Sequence, residues 1–243
     1  MDSPLISVVM SVYNCEEFIY DSLQSIKLQT FEDFEFIIYD DGSTDNTYGV
    51  AEMFIDDHHN DERFVLKKSN DNIGCPLRRN EAIKLARGKY IAMQDGDDFS
   101  FPYRLEKEVG LLENNDDIFC VGSYATVINE DGEKIDEMTY PPSQHKDISK
   151  MLFGFVNPVI DPSCMFRRDI FNKLGCYKDK WKLVPDFYLW ARAIVAGYKF
   201  ENIPESLIRY RKHPKGVMEL YHKEAIREHM DMCRNYIHRK KSR

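Results

Sequence analysis

Three signatures are missing from this chain of 243 residues, and each absence removes a class of function. Neither G-x-x-x-x-G-K-[ST] nor G-x-G-x-x-G occurs, so no glycine loop of the kind that cradles phosphates is available, which weakens kinase, NTPase and dehydrogenase readings. No apolar run approaches the roughly 20 residues that cross a bilayer. The six cysteines, Cys15, Cys75, Cys120, Cys164, Cys176 and Cys233, form no C-x-x-C pair and are irregularly spaced, which argues against zinc. With no signal peptide ahead of Pro4, they are expected to be reduced thiols of a cytoplasmic protein. Positive charge is also scarce. Lys and Arg number 33 against 41 Asp and Glu, and the net charge of −8 speaks against a nucleic-acid binder. The basic cluster of the sequence is terminal, at Arg239, Lys240, Lys241 and Arg243.

What is present reads as a globular α/β chain, with 43% hydrophobic and 13% aromatic residues. The apolar run Ile6–Val12 predicts a buried strand. Asn14 and Glu17 then have the spacing of a capping box, with Phe18, Leu23 and Ile26 at helical intervals. Phe34–Asp40 predicts a second strand, "DGSTDNT" a turn opening a helix, and "RFVLKK" a third strand. "LRRNEAIKLARG" predicts a helix stopped by Gly88, and "KYIAMQD" a fourth strand. This alternation predicts a mainly parallel sheet flanked by helices. Its functional groups should gather beyond the carboxyl ends of the strands, which brings Ser11–Tyr13, Asp40–Asp41 and Asp95–Asp98 to one edge.

After Pro102 the pattern changes. "PYRLEKEVGLLENN" predicts a helix, "DIFCVGSYATVINEDGEKI" strands turning at Asp131–Gly132, and "PDFYLWARAIVAGY" a helix from Pro185. "KFENIPESLIRYRKH" predicts two short strands, and Tyr221 to Arg239 a polar helix. With no repeat or linker, residues 1–243 are expected to form one domain. About 1–101 would be a nucleotide-binding half, 102–215 a mixed acceptor half, and 216–243 a terminal helix and basic tail.

The acid clusters carry the chemistry. "DDGST" (Asp40 to Thr44) reads equally as a turn with a helix cap. "QDGDD" is harder to dismiss as a polar loop. Asp95, Asp97 and Asp98 crowd behind a buried strand, where like charges a few ångströms apart repel by roughly 1 kcal/mol even in water. A hard divalent cation, Mg²⁺ or Mn²⁺, would relieve that repulsion and join carboxylates to a diphosphate. Gly96 leaves room for close approach.

In order along the chain, "ISVVMSVYN", "FEFIIYDDGSTDNT", "NIGCPLRRNEAI", "ARGKYIAMQDGDD", "CMFRRDIFNKLGCY" and "PDFYLWARAIVAGYKFENIPESLIRYRKH" resemble the family 2 glycosyltransferases, inverting enzymes of the GT-A fold. The resemblance runs from about Ile6 to His213 and implies a GT-A, Rossmann-like nucleotide-diphospho-sugar transferase architecture. It implies that Ser11 and Tyr13 line the nucleotide base, that Asp41 accepts a hydrogen from it, and that Arg79 lies near the nucleotide. It also implies Asp95 near the ribose, Asp97 on the metal and Asp186 as catalytic base. Departures are Ser11 where many members have Pro, Arg78 for a small residue, and Pro185 for an acid beside the base.

Several residues keep two readings. Asp186 opens a helix, where an acid also serves as an N-terminal cap. Asp98 supports the metal or caps its turn; His213 approaches the metal or sits in a surface turn. Trp190 and Phe187 line a sugar pocket or belong to the core, and the terminal helix meets anionic lipid or is solvated. The expected partners are a nucleotide-diphosphate sugar, with UDP favoured, and a glycan or lipid-linked acceptor in cell-surface polysaccharide synthesis, with no nucleic acid. Peripheral membrane association accompanies that reading. The alternatives are a sugar-nucleotide-binding module without catalysis and a sugar-nucleotide pyrophosphorylase. The latter would want a Gly-rich, Arg-containing loop where this chain has "SVYNCEE".

Overall fold

The computed structural model describes residues 3–59 and 61–237. The basic cluster from Arg239 and the end of the last expected helix lie outside the described residues. The first half alternates strand and helix: β1 (Ile6–Val12), α1 (Ile19–Lys27), β2 (Phe34–Asp40), α2 (Thr47–Asp57), β3 (Phe64–Lys68), α3 (Cys75–Leu85) and β4 (Tyr90–Met93). The second half does not. It runs β5 (Phe99–Ser100), α4 (Arg104–Glu113), β6 (Ile118–Ile128), β7 (Lys134–Met138), α5 (His145–Phe153) and a 3-10 turn at Asp161–Ser163. Then follow β8 (Met165–Arg167), α6 (Arg168–Leu174), α7 (Pro185–Val195), β9 (Lys199–Arg211), α8 (Val217–Leu220) and α9 (His222–Met232).

One sheet passes through both halves, in the order β3-β2-β1-β4-β8-β6-β9-β5, with β7 on β6. The block β3-β2-β1-β4 is parallel. β8 is antiparallel to β4 and β6, whereas β9 runs parallel to β6. Period-two alternation explains why the central strands are apolar on both faces. Val9, Ile91 and Met93 enter one core; Val8, Met10, Tyr90 and Ala92 enter the other. Register sets the working edge. Val12 stands opposite Asp40 and Val9 opposite Met93, so β1, β2 and β4 release their following loops side by side. The edge expected for Tyr13, Asp41 and Asp95–Asp98 is therefore formed.

Local readings differ in four places. The Asn14–Glu17 capping box does not form, because α1 begins at Ile19 without a side-chain cap. Asn14 instead adopts φ 53 and its Oδ1 accepts from the Thr44 N–H at 2.9 Å, tying the loop after β1 to the turn after β2. Gly88 does not stop α3, which ends at Leu85. A Cβ at Gly88 would stand 2.5 Å from the Ser7 backbone nitrogen, so this glycine serves close approach to β1. The stretch expected as two strands is the single β9, with register shifts against β6 near Ser206 that absorb Pro204. The last helix stops at Met232 and continues as a π-helical turn, Cys233–Ile237. The Asp131–Gly132 hairpin turn is present, with Gly132 at φ 82.

Behind the edge, a fully buried guanidinium fixes the acid loop. Arg104 Nη2 donates to the Met93 carbonyl at 2.7 Å, and Nη1 to Ser100 Oγ at 2.9 Å and Gln94 Oε1 at 3.2 Å. Gln94 Nε2 in turn reaches the Asp95 and Asp98 carbonyls at 3.1 and 3.0 Å. Arg104 Nε closes the network on Glu108 Oε1 at 3.0 Å, while Glu108 Oε2 is buried with no partner among the described residues. Burial therefore pushes the Glu108 carboxyl up to about 7, against the pull of Arg104.

The sign of the resulting pH dependence follows. Between its ordinary value and about 7, the folded chain keeps a proton that the unfolded chain has released, so stability falls as pH rises through that window. Glu108→Gln keeps the acceptor for Arg104 and should lose less stability than the wild type over that range. Urea midpoints at about pH 5 and about pH 8 check this; equal losses would show that Glu108 does not titrate there.

Candidate active site

The loop after β4 places the three carboxylates together. Oxygens of Asp95, Asp97 and Asp98 lie within 4.8 Å of one another. Asp98 is the deepest: its Oδ1 accepts the Arg211 N–H at 2.8 Å, and its Oδ2 is buried without a partner among the described residues. Burial, with Asp97 and Asp95 alongside, holds the Asp98 carboxyl well above the usual carboxylate range. Burial likewise raises Asp95, which Arg79 partly offsets. His213, delivered by the segment after β9, sets Nε2 2.9 Å from Asp97 Oδ2 and its ring edge-on to Phe18 at 4.7 Å.

Arg79 of α3 bridges the halves. Its guanidinium is nearly buried and bonds both Asp95, from the loop after β4, and Asp161, from the 3-10 turn before β8. Burial pushes the Asp161 carboxyl up to about 7; Arg79 pulls the other way, and the charges of Asp186 and Asp95 add to the rise. Asp186 therefore belongs to the same electrostatic group, although it comes from the start of α7. The N-cap there is Val184 with no side-chain cap bond, so Asp186 does not act as the helix cap. Its Oδ2 accepts from Asn157 Nδ2 at 2.6 Å.

The two acids of "DDGST" divide. Asp40 makes the turn, with Oδ1 accepting from the Ser43 N–H at 2.9 Å and Ser43 Oγ at 2.6 Å. Asp41 holds the segment leading into α3. Its oxygens accept from the Ile73 and Gly74 N–H groups at 3.0 and 2.8 Å, and Arg78 Nε donates to Oδ1 at 2.8 Å. The unusual Arg78 is thus a buried partner of Asp41, packed over the Tyr39 ring at 4.6 Å. Ser11 and Tyr13 lie at the end of β1, with Tyr13 45% exposed. Trp190 is fully buried in the core against Phe166 and Phe200, and Phe187 is buried against His229.

Sequence reasoning missed Asp161, Asn157, Arg104 and Arg211. Asp161 stands between Pro158 and Pro162 in a stretch that reads as plain loop, with no local sign of the 3-10 turn that carries it.

What this arrangement offers is a cluster of carboxylates able to hold a cation, and a further carboxylate, Asp186, with one oxygen fixed by Asn157. The residues fit a hard divalent cation, because Asp95, Asp97 and Asp98 bring carboxylate oxygens together and Asp98 Oδ2 has no partner among the described residues.

Comparison with known proteins agrees. An uncharacterized glycosyltransferase of Methanocaldococcus jannaschii is 38% identical over 212 residues, covering 87% of this chain and 72% of its own. An Escherichia coli UDP-Glc:alpha-D-GlcNAc-diphosphoundecaprenol beta-1,3-glucosyltransferase is 28% identical, over 92% of this chain and 84% of its own. A mannosyltransferase of Pyrobaculum calidifontis, solved with GDP-Man and Mn²⁺, superposes with a TM-score of 0.71 at 17% identity, covering 95% of this chain. This chain spans 64% of that longer protein, and at such identity the likeness concerns the GT-A fold. The family model described as "Glycosyl transferase family 2" matches residues 7–175, well over half of the chain, and the chain belongs to that family.

Proposed function

We propose that the chain transfers a sugar, with inversion, from a nucleotide-diphosphate sugar to a hydroxyl of a glycan or lipid-linked acceptor in cell-surface polysaccharide synthesis. The observation that carries the reading is the Asp95–Asp97–Asp98 carboxylate cluster, tied through Arg79 to Asp161 of the second half, with Asp186 held by Asn157, four residues before Asp161. UDP is the favoured nucleotide, in line with the donor named for the E. coli relative. Ser11 and Tyr13 line the base, Asp41 and Arg79 border the nucleotide, and Asp95 faces the ribose.

Asp97, with Asp98 and His213 beside it, would hold Mn²⁺ or Mg²⁺. A cation there supplies Lewis-acid neutralisation of the charge on the departing diphosphate. Asp186 takes the proton of the acceptor hydroxyl as that oxygen attacks the anomeric carbon. The bond to the diphosphate breaks as the new bond forms on the opposite face, which inverts the centre. Asn157 fixes the Asp186 carboxylate by donating to Oδ2, which leaves Oδ1 for the hydroxyl. No helix of the described residues is long and apolar enough to cross a membrane. We place the encounter with a lipid-linked acceptor at the cytoplasmic face of a membrane.

Asp186→Asn should lower transfer by roughly 100- to 10,000-fold and leave donor affinity nearly unchanged. Equal loss of both, measured by transfer assay and donor titration, would remove Asp186 from the base role. Asp97→Ala should abolish the dependence of donor binding on Mn²⁺. Activity unaffected by a chelator would contradict the metal role.

A further inference from the structure

A second feature lies on the acceptor side, outside the nucleotide edge. The corner after α5 and the inner face of α9 enclose a hollow of about 460 Å³, lined by Phe155, His229, Met230, Cys233 and Arg234. That volume falls within the range of small-molecule sites, about 300–1,000 Å³. Three irregularities converge on it. Phe155 has φ 67, a left-handed conformation that an aromatic residue adopts at a cost. It is held there by its N–H on the Leu152 carbonyl at 2.9 Å and by its carbonyl, which accepts from His229 Nε2 at 2.8 Å. The π-helical turn beginning at Cys233 departs from α-helical phase where Cys233 and Arg234 form the wall. Phe155 and Met230 nevertheless stay 42% and 47% exposed, an apolar lining open to solvent.

The same contacts join the hollow to Asp186. Asn157, two residues after Phe155, donates to Asp186, and Phe187, next to Asp186, stacks on His229 at 4.5 Å. We infer that this hollow receives the apolar chain of a lipid-phosphate-linked acceptor, with Arg234 at its rim facing the phosphate. The inference rests on the transferase reading of Asp186. A guanidinium fork matches phosphate oxygens, and the apolar wall matches a hydrocarbon chain. A flat anionic bilayer is the poorer match, because α9 exposes Glu224 beside Lys223 and Asp231 near Arg227 rather than one basic face.

The test is titration calorimetry with farnesyl diphosphate against inorganic diphosphate, in chelator so that neither is drawn to the acid cluster through a metal. Wild type should bind the farnesyl compound at least about ten-fold more tightly than inorganic diphosphate, and Met230→Glu should lose that margin. Phe155→Ser provides a second reading of the same wall. Metal-dependent donor hydrolysis by Met230→Glu should stay at the wild-type level. Equal affinity for the two diphosphates, unchanged binding by both variants, or binding to phosphatidylglycerol vesicles that farnesyl diphosphate does not displace would overturn the assignment. Farnesyl binding lost in Met230→Glu while the wild type shows no donor hydrolysis would uphold the hollow and remove the transferase reading instead.

Discussion

Negative charge gathered against one guanidinium is the constraint on which this structure turns. Asp95 and Asp161 bond directly to Arg79, while Asp97, Asp98 and Asp186 stand around them. Burial takes water from these carboxylates, which is the main reason Asp95, Asp98 and Asp161 are all raised, and their neighbours' negative charges add to it. Such a group persists because the scaffold holds it rigidly. Arg104 and Gln94 grip the backbone of the acid loop from below, and the Arg211 N–H caps Asp98 from β9. A ligand that brings a cation and a diphosphate would complete a balance that the protein leaves open.

The fold serves this by giving each half a different task. The parallel block sets three loops flush at one edge, a direct consequence of the β1–β2 and β1–β4 register. The mixed half then closes over that edge, with β8 antiparallel to β4 carrying the Asp161 turn, and β9 reaching across to deliver Arg211 and His213. Arg79 is the seam: its two carboxylates come one from each half. The site is complete only when the second half is folded onto the first, because the first half alone would lack Asp186 and one of the two carboxylates of Arg79, Asp161.

The parallel half was legible because its signals are local. "ISVVMSV" and "FEFIIYD" are buried strands with matching ends, and the acid residues follow directly. The capping box at Asn14 failed because a long-range bond to Thr44 outcompeted a local cap. Gly88 looked like a helix stop, yet its reason lies in Ser7 on a distant strand. β9 was read as two pieces because its proline is tolerated by an irregularity that only the pairing with β6 reveals. At the site, the sequence left His213 between the metal and a surface turn, and the structure sets it on Asp97; Trp190, left between a sugar pocket and the core, lies in the core against Phe166 and Phe200. Asp161 was invisible because nothing near it in sequence records that Arg79 faces it.

On the proposed function, the acid edge holds a nucleotide diphosphate through a divalent cation. The most direct measurement is the thermal unfolding midpoint of the intact chain with UDP alone, with Mn²⁺ alone, and with both. The rise for the pair should exceed the sum of the separate effects, since each ligand completes the other's site. A rise with UDP alone that Mn²⁺ does not enlarge would contradict it.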